Sequence, residues 1–570
     1  MTEASVPGLK PATRDLAIVL GLAILLYAAG LGLRDPWPAD EPRFALIARD
    51  MVESGRWLIP VVGGDYYPDK PPLYFWIMAA CYALTGSLRV AFLLPSLCAS
   101  LAVIVLVYDL VRRLWDREAA FAAALLLTFT VAFAWQARAA QIDMTVTAFI
   151  ALSLYGLLRH LLVKTSWSWY AIAGFAAGLG VITKGVGFLA LLALLPYALM
   201  RWRGWSLPAV ERGGWRWAIA PLTMFAAIAL WLVPMLLAVD ASGDPALVAY
   251  RNEILFQQTV TRYAESWHHV QPFYFYVLEV IPVLWLPVSL FLIWLVPHWR
   301  TASTSRESRV WLPLSWAILV VVFFSLSPGK RGVYIVPAIP ALVIASAPYL
   351  RDLWSRRTLQ WAGWILSVLI GVAAAAAYLY VTRWAPDKAA GIADDAGPIP
   401  WSVMLSLAVV AFIAAAAWRP RAGLVALAFC LGSLWLFMGW VVAPALNGVR
   451  SGGDFVAAAL AKAPPDHELG MVAYKEQFLL YLDRPMVNFG HRRWREGPQE
   501  SYDAARWLND RAARAVLVNE KQRAQCFTGA ASTVFAGFSA GVGWSWVTAP
   551  ADAHCAALGK ESALLYRPQP

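Results

Sequence analysis

Along the 570 residues, apolar runs of about 20 residues alternate with short polar connections. Such a run matches a hydrocarbon layer roughly 30 Å thick, because a helix rises 1.5 Å per residue. Helices are the spanning form expected, since each satisfies its own backbone hydrogen bonds. The pattern predicts thirteen spans, at about 15–33, 90–111, 118–137, 142–163, 168–183, 185–200, 216–238, 274–296, 310–327, 333–350, 360–381, 400–418 and 422–444. Residues 73–87 are apolar but short and led by proline, which predicts a helix on the membrane surface. The first run follows Lys10 and Arg14 and lacks a small-residue cleavage site, so it reads as a retained span.

Three segments are long enough to fold outside the bilayer: 34–89, 239–273 and the tail 445–570. In the tail the apolar runs shorten and charge rises. Leu469–Tyr474, Val516–Asn519 and Ala563–Tyr566 read as short strands, with helices over Phe455–Ala463 and Tyr502–Asp510. The fold class predicted is mainly α. A transmembrane unit over 1–444 precedes a small extracytoplasmic α/β domain over 445–570.

Composition agrees: 60% of residues are hydrophobic and 15% charged, against about 25% charged in soluble domains. The net charge of +11 does not point to nucleic acid, because no basic, aromatic-interleaved soluble module is present. The basic residues instead collect in alternate short loops, as in Arg112, Arg113 and Arg117, Arg300, Arg306 and Arg309, or Arg351, Arg356 and Arg357. The positive-inside bias then sets the N-terminus in the cytoplasm and the C-terminus outside. Cys526 and Cys555 fall in the outer tail, where an oxidising compartment permits a disulfide. Gly174 and Gly178 read as a helix-packing pair.

The candidate chemistry concentrates in the first outer segment. Asp40-Glu41-Pro42-Arg43 opens like a helix: Asp40 suits the cap, Pro42 the first turn and Glu41 the positive end of the dipole. A chemical role for the same carboxylates stands beside that capping role. Asp69-Lys70-Pro71-Pro72 then leads into the aromatic helix that starts at Leu73. Charges this close to a bilayer are costly unless paired or functional. A transferase acting on a lipid phosphate needs cations for the departing phosphate and a carboxylate for the acceptor proton. Lys70, Arg43, Lys330 and Arg331 suit the first task and Asp40 the second. Asp143 can pair with Arg138 or orient a phosphate-binding cation; Lys184 can anchor at the interface or bind phosphate. Arg262 is a candidate loop or phosphate contact.

The ordered set Trp37-x-x-Asp40-Glu41-x-Arg43-Phe44-Ala45, Tyr67-x-Asp69-Lys70-Pro71-Pro72, Ile142-Asp143, Thr183-Lys184-Gly185, Arg262-Tyr263, His269-x-x-Pro272-Phe273 and Gly329-Lys330 followed by Tyr334 resembles the lipid A aminoarabinose transferase and protein mannosyltransferase superfamily, the polytopic GT-C glycosyltransferases. The resemblance covers residues 15 to about 350. It implies an inverting transferase that uses a polyprenyl-phosphate sugar as donor, 4-amino-4-deoxy-L-arabinose among the sugars, and works at the outer face on lipid A or another envelope acceptor. A protein O-mannosyltransferase is the nearer alternative; a lipid or polysaccharide transporter is a more distant one. The resemblance also implies that Asp40 is the base, that Arg43, Lys70 and Tyr334 meet the donor phosphate, and that Asp69 and His269 hold a divalent metal, zinc or manganese. Glu41, Asp143, Lys184, Arg262, Lys330 and Arg331 complete the expected substrate-binding set. Phe44 stands where relatives often have Tyr, and Asp69 where Glu is commoner.

Overall fold

The computed structural model describes residues 11–208, 210, 213–255, 270–389, 391, 399–473, 475–490, 496–560 and 563–568. Each predicted apolar run is helical within those residues. Among the described residues six helices are long and apolar enough to cross a membrane, or eight when two bent pairs each count as one. The thirteen-span expectation treats every run as a full crossing, and the helices are less uniform than that. The run at 118–137 divides into Arg117–Phe129 and Val131–Ala137 with a 69° bend. The run at 274–296 divides into Tyr276–Leu284 and Val288–Thr304 with a 113° bend.

These two breaks lie against each other. Pro287 has no N–H to continue a helix, and at this break the Leu286 carbonyl accepts from the Val131 N–H at 2.8 Å. Irregular backbone at membrane depth must find partners inside the protein, and here one break supplies the other. Gly174 and Gly178 serve packing: a Cβ on either would sit 2.0 Å from the Ala220 carbonyl oxygen or 2.4 Å from that of Met224. The helices Trp167–Lys184 and Ile219–Ser242 therefore meet backbone to backbone.

The first outer segment forms a helix, Glu41–Ser54, then a two-stranded hairpin, β1 (Val61–Val62) and β2 (Asp65–Tyr66), then the helix Leu73–Thr85. Gly63 and Gly64, both at positive φ, make the tight turn between the strands.

Beyond the last apolar run, short helices Ala443–Arg450 and Gly453–Ala461 lead to a six-stranded mixed sheet. Its strands are β3 (Glu468–Met471), β4 (Met486–Asn488), β5 (Arg514–Asn519), β6 (Thr533–Ser539), β7 (Val542–Thr548) and β8 (Leu564–Tyr566), in the order β6-β7-β5-β3-β4-β8. Strands β3, β4 and β5 run parallel; the outer pairings are antiparallel. The predicted strands correspond to β3, β5 and β8; β4 and the β6–β7 hairpin are additional. The helix Gln499–Asp510 covers one face through Ala504, Ala505 and Leu508. Cys526 and Cys555 are disulfide-bonded beside it, their Cα atoms 5.8 Å apart.

The opposite face of the sheet merges with the outer segment. Phe455, Phe478, Trp544 and Trp546 share one buried cluster with Phe44, Met51, Val62, Tyr67 and Phe75. Polar contacts fix the register of this docking. Arg49 donates to the Leu480 carbonyl at 2.8 Å and to the Tyr566 hydroxyl at 2.6 Å, and Asn488 donates to the Gly63 carbonyl at 2.9 Å. The C-terminal domain thus sits on the helix that begins at Glu41.

Candidate active site

Asp40 occupies the N-cap position of the helix Glu41–Ser54, yet its side chain makes no capping hydrogen bond. Pro42 in the first turn contributes no N–H, and the carboxylate turns elsewhere. Arg43 Nη1 lies 3.9 Å from one of its oxygens and Arg331 Nη1 3.7 Å from the other. Both separations exceed hydrogen-bond length. Asp40 is therefore held electrostatically between two guanidinium groups, partly exposed, with lone pairs still available.

Glu41 is placed differently. Its carboxylate accepts both Arg34 nitrogens, at 2.5 and 2.9 Å, the Trp37 N–H at 3.0 Å and the Ala140 N–H at 3.0 Å. Four donors use the four acceptor positions of a carboxylate. Expected among the substrate-binding residues, Glu41 instead fastens the start of the helix to the segment before the span Ile142–Leu158.

Arg43 faces two ways. Toward Asp40 it is loose; toward the C-terminal domain its Nε donates to Glu476 Oε1 at 2.6 Å. Burial works against its charge, but Glu476 and Tyr67 outweigh that and hold the guanidinium above its ordinary value. Tyr67 is 1% exposed, and burial pushes its phenol up. Glu476 escaped the sequence reading because 433 residues separate it from Arg43 and nothing local marks it.

A cavity of about 370 Å³ lies next to this group. Its polar lining includes Asp69, Lys70, Asp143, Lys184, Ser327 and Tyr334; its apolar walls include Val146, Phe188, Phe323 and Phe324. Asp143 is ion-paired with Lys184, while Arg138 turns away to the carbonyls of Leu26 and Ala29. Lys184 Nζ rests 4.5 Å from the centre of the Tyr334 ring, a cation–π arrangement. Asp40 is not part of this lining. Two short segments connect it to the cavity. Tyr67, beside Arg43, is three residues from Lys70. Arg331, beside Asp40, lies between the two lining residues Gly329 and Tyr334.

Lys330 and Arg331, adjacent in sequence, divide their tasks. Lys330 is 5% exposed and donates to the Gln271 carbonyl at 2.7 Å, next to the bridge between Val270 and Gly329. It ties the second long loop to the turn before Tyr334. Arg262 and His269 lie outside the described residues. Among the described residues no three His, Cys, Asp or Glu side chains converge on one point, and of the expected pair Asp69 and His269 only Asp69 lies within them.

The arrangement is a carboxylate with open lone pairs, flanked by arginines, beside a cavity with two lysines and apolar walls. A family model described as dolichyl-phosphate-mannose-protein mannosyltransferase matches residues 69–231. The undecaprenyl phosphate-α-4-amino-4-deoxy-L-arabinose arabinosyl transferase of Pseudomonas savastanoi pv. phaseolicola is 31% identical over 341 residues, 59% of this chain and 61% of the relative. That of Yersinia pestis is 30% identical over 370 residues, 62% of each chain. The crystal structure of ArnT from Cupriavidus metallidurans bound to undecaprenyl phosphate superposes with a TM-score of 0.74 at 21% identity, covering 96% of this chain and 99% of that one. The fold is that of this ArnT crystal structure.

The resemblance read from the motifs is thus met in both sequence and fold. The chain spans about three fifths of the length of curated relatives that it matches. The likeness of fold also extends to an archaeal oligosaccharyltransferase from Archaeoglobus fulgidus, with a TM-score of 0.54 at 14% identity over 89% of this chain and 69% of that one.

Proposed function

We propose that this protein is an inverting glycosyltransferase that moves a sugar, 4-amino-4-deoxy-L-arabinose in the first instance, from a polyprenyl-phosphate donor to lipid A or another envelope acceptor. The observation that carries this reading is the uncapped Asp40 carboxylate, set between Arg43 and Arg331 at the edge of the cavity that holds Lys70 and Lys184. The donor phosphate lies against the lysines and Tyr334, with its prenyl chain toward Phe188 and Phe323. The acceptor hydroxyl approaches from the Asp40 side. Its oxygen bonds to the anomeric carbon as the carbon–oxygen bond to phosphate breaks on the other face. Asp40 takes the hydroxyl proton, and the cations stabilise the charge that gathers on the departing polyprenyl phosphate. Attack opposite the leaving group inverts the anomeric configuration.

The same reading sets the protein in a bacterial inner membrane with the N-terminus cytoplasmic and the C-terminal domain periplasmic. The bias of arginines toward alternate loops supports it, and so does the disulfide in that domain. Arg262 remains a proposed donor contact. A zinc or manganese ion on Asp69 and His269 remains a proposal checked by metal analysis of the purified protein and of Asp69→Asn. A protein hydroxyl as acceptor is the second reading, favoured by the mannosyltransferase model over residues 69–231.

Purified protein incubated with undecaprenyl-phosphate aminoarabinose and lipid A tests the proposal by mass spectrometry. Glycosylated lipid A is expected from the wild type, with Asp40→Asn slower by about 10²–10⁴-fold, the usual contribution of a positioned general base. Full activity in Asp40→Asn removes the mechanism; no product with any polyprenyl-phosphate sugar removes the function.

A further inference from the structure

What keeps Asp40 in place is not a bond to its own carboxylate. That side chain makes no capping hydrogen bond, and the arginines on either side of it stand beyond bonding distance. Its position comes from the chain that carries it. The Trp37 N–H donates to Glu41 Oε2 at 3.0 Å, which closes a turn from 37 to 41 with Asp40 inside it. Glu41 fastens one end of that turn. The other end, Trp37, is held from 410 residues away by Asn447.

Asn447 lies in the helix Ala443–Arg450, which follows the last apolar run. Its amide oxygen accepts the Asp35 backbone N–H at 2.8 Å and the Trp37 indole N–H at 3.2 Å. Its amide nitrogen donates to Asp35 Oδ2 at 2.8 Å. The oxygen thus meets two donors and the nitrogen a carboxylate, an arrangement that fixes which way the amide points. A carboxylate at this position would repel Asp35, and an aliphatic side chain would leave both N–H groups without this acceptor. Arg89 completes the set around the buried Asp35 carboxylate. Arg450, three residues beyond Asn447 and so on the same helix face, stands 5.3 Å from the centre of the Trp37 ring, and Arg34 stands 4.8 Å from it. The indole is therefore held by its N–H and by cations together.

We propose that Asn447 is a positioning residue for Asp40. By pinning Asp35 and Trp37 to the end of the last apolar run, it sets where the turn from 37 to 41 places the carboxylate. The inference rests on the reading of Asp40 as the group that takes the acceptor proton. A base must lie within hydrogen-bond reach of the proton it takes, and a misplacement of about 1 Å can cost about 10²-fold in rate. The donor site stands apart from this strap. Lys70, Lys184 and Tyr334 line the cavity, and Asp40 is not part of that lining. Loss of Asn447 therefore slows the chemical step and leaves donor binding unchanged.

Transfer from undecaprenyl-phosphate aminoarabinose to lipid A by the purified full-length protein tests this, with kcat, donor KM and melting temperature measured together. Asn447→Ala is expected to lower kcat about tenfold, within the range that a misplaced group costs, at unchanged donor KM. Trp37→Phe removes the indole N–H and keeps the Asp35 contacts, so it is expected to lower kcat about threefold, the scale of one neutral hydrogen bond. In the Asp40→Asn background, Asn447→Ala should lower kcat no further, because an effect transmitted through Asp40 vanishes with it. A purely structural asparagine would lower the melting temperature and leave the folded protein with wild-type kcat, which overturns the proposal. An equal loss of kcat with and without Asp40, or a raised donor KM, overturns it as well. If Asn447→Ala does not fold, wild-type kcat in Trp37→Phe has the same force. A wild-type protein that transfers no sugar removes the reading of Asp40 and this inference with it; an active wild type with unaffected variants removes this inference alone.

Discussion

Asp40 and Glu41 are neighbours in sequence and opposites in environment. Glu41 is buried, and its four acceptor positions are filled by Arg34, Trp37 and Ala140. Asp40 sits at a helix start without capping it and has two arginines just beyond bonding distance. Saturation makes a group structural; a charge held in place but not consumed can take a proton. The same division runs through the adjacent basic residues. Lys330 is spent on a backbone carbonyl, whereas Arg331 points its charge at Asp40.

The sharpest way to break this contrast is to neutralise each acid by one atom. Asp40→Asn is expected to keep its melting temperature while transfer falls by the two to four orders of magnitude given above. Glu41→Gln leaves the Arg34 guanidinium buried without its counter-charge, which costs about 3–5 kcal/mol, and lowers the yield and thermal stability of the folded protein. Melting curves beside transfer rates decide it. A Glu41→Gln protein that melts like wild type but transfers no sugar would put the chemistry on the wrong acid.

A smaller effect is expected at Glu476. Its bond to the Arg43 guanidinium is charge-assisted, and such bonds contribute about 1.5–3 kcal/mol. Part of that energy goes to positioning Arg43, so Glu476→Gln should lower kcat/KM for transfer about tenfold with little change in melting. An unchanged kcat/KM would mean that the C-terminal domain only covers the site. A tenfold loss accompanied by easier proteolytic release of that domain would mean that Glu476 acts as an anchor alone.

The sequence made the apolar runs and the acid–base segment visible for different reasons. Apolar runs announce themselves by length, because the bilayer sets a thickness. Their breaks do not: at the bend after Thr130 the Val131 N–H donates to the Leu286 carbonyl, 155 residues along the chain and brought near only by folding. Asp40, Lys70, Asp143 and Lys184 were legible because charge at a membrane boundary needs an explanation. Which cation Asp143 takes was not, since Arg138 is five residues away and Lys184 is brought in by the packing of two helices. In the tail, β5 was visible as an apolar run. The β6–β7 hairpin was hidden because its turn uses Ala540 at positive φ before Gly541, where Asn or Gly is the usual signal.

A third acid on the helix Glu41–Ser54 lies between the two extremes and offers the mildest test. Asp50 is partly exposed and accepts a single 3.3 Å hydrogen bond from Tyr566 of β8. Burial pushes its carboxyl up to about 7, Glu53 adds to the rise, and Arg49, Tyr566 and Arg56 oppose it. A folded-state value above the ordinary 3.8 means that the folded protein binds the extra proton between those two values. The stabilisation is therefore complete below about pH 4 and is lost as the pH rises through 7. Its slope is at most about 1.4 kcal/mol per pH unit. Docking of the C-terminal domain on the outer helix should loosen between pH 5 and 8, seen as faster proteolysis of the domain at the higher pH. Asp50→Asn, which cannot ionise, should flatten that dependence and protect the domain at pH 8. If the variant keeps the wild-type pH dependence, the titrating group lies elsewhere, and the rule that partial burial without saturation makes an acid responsive fails at this position.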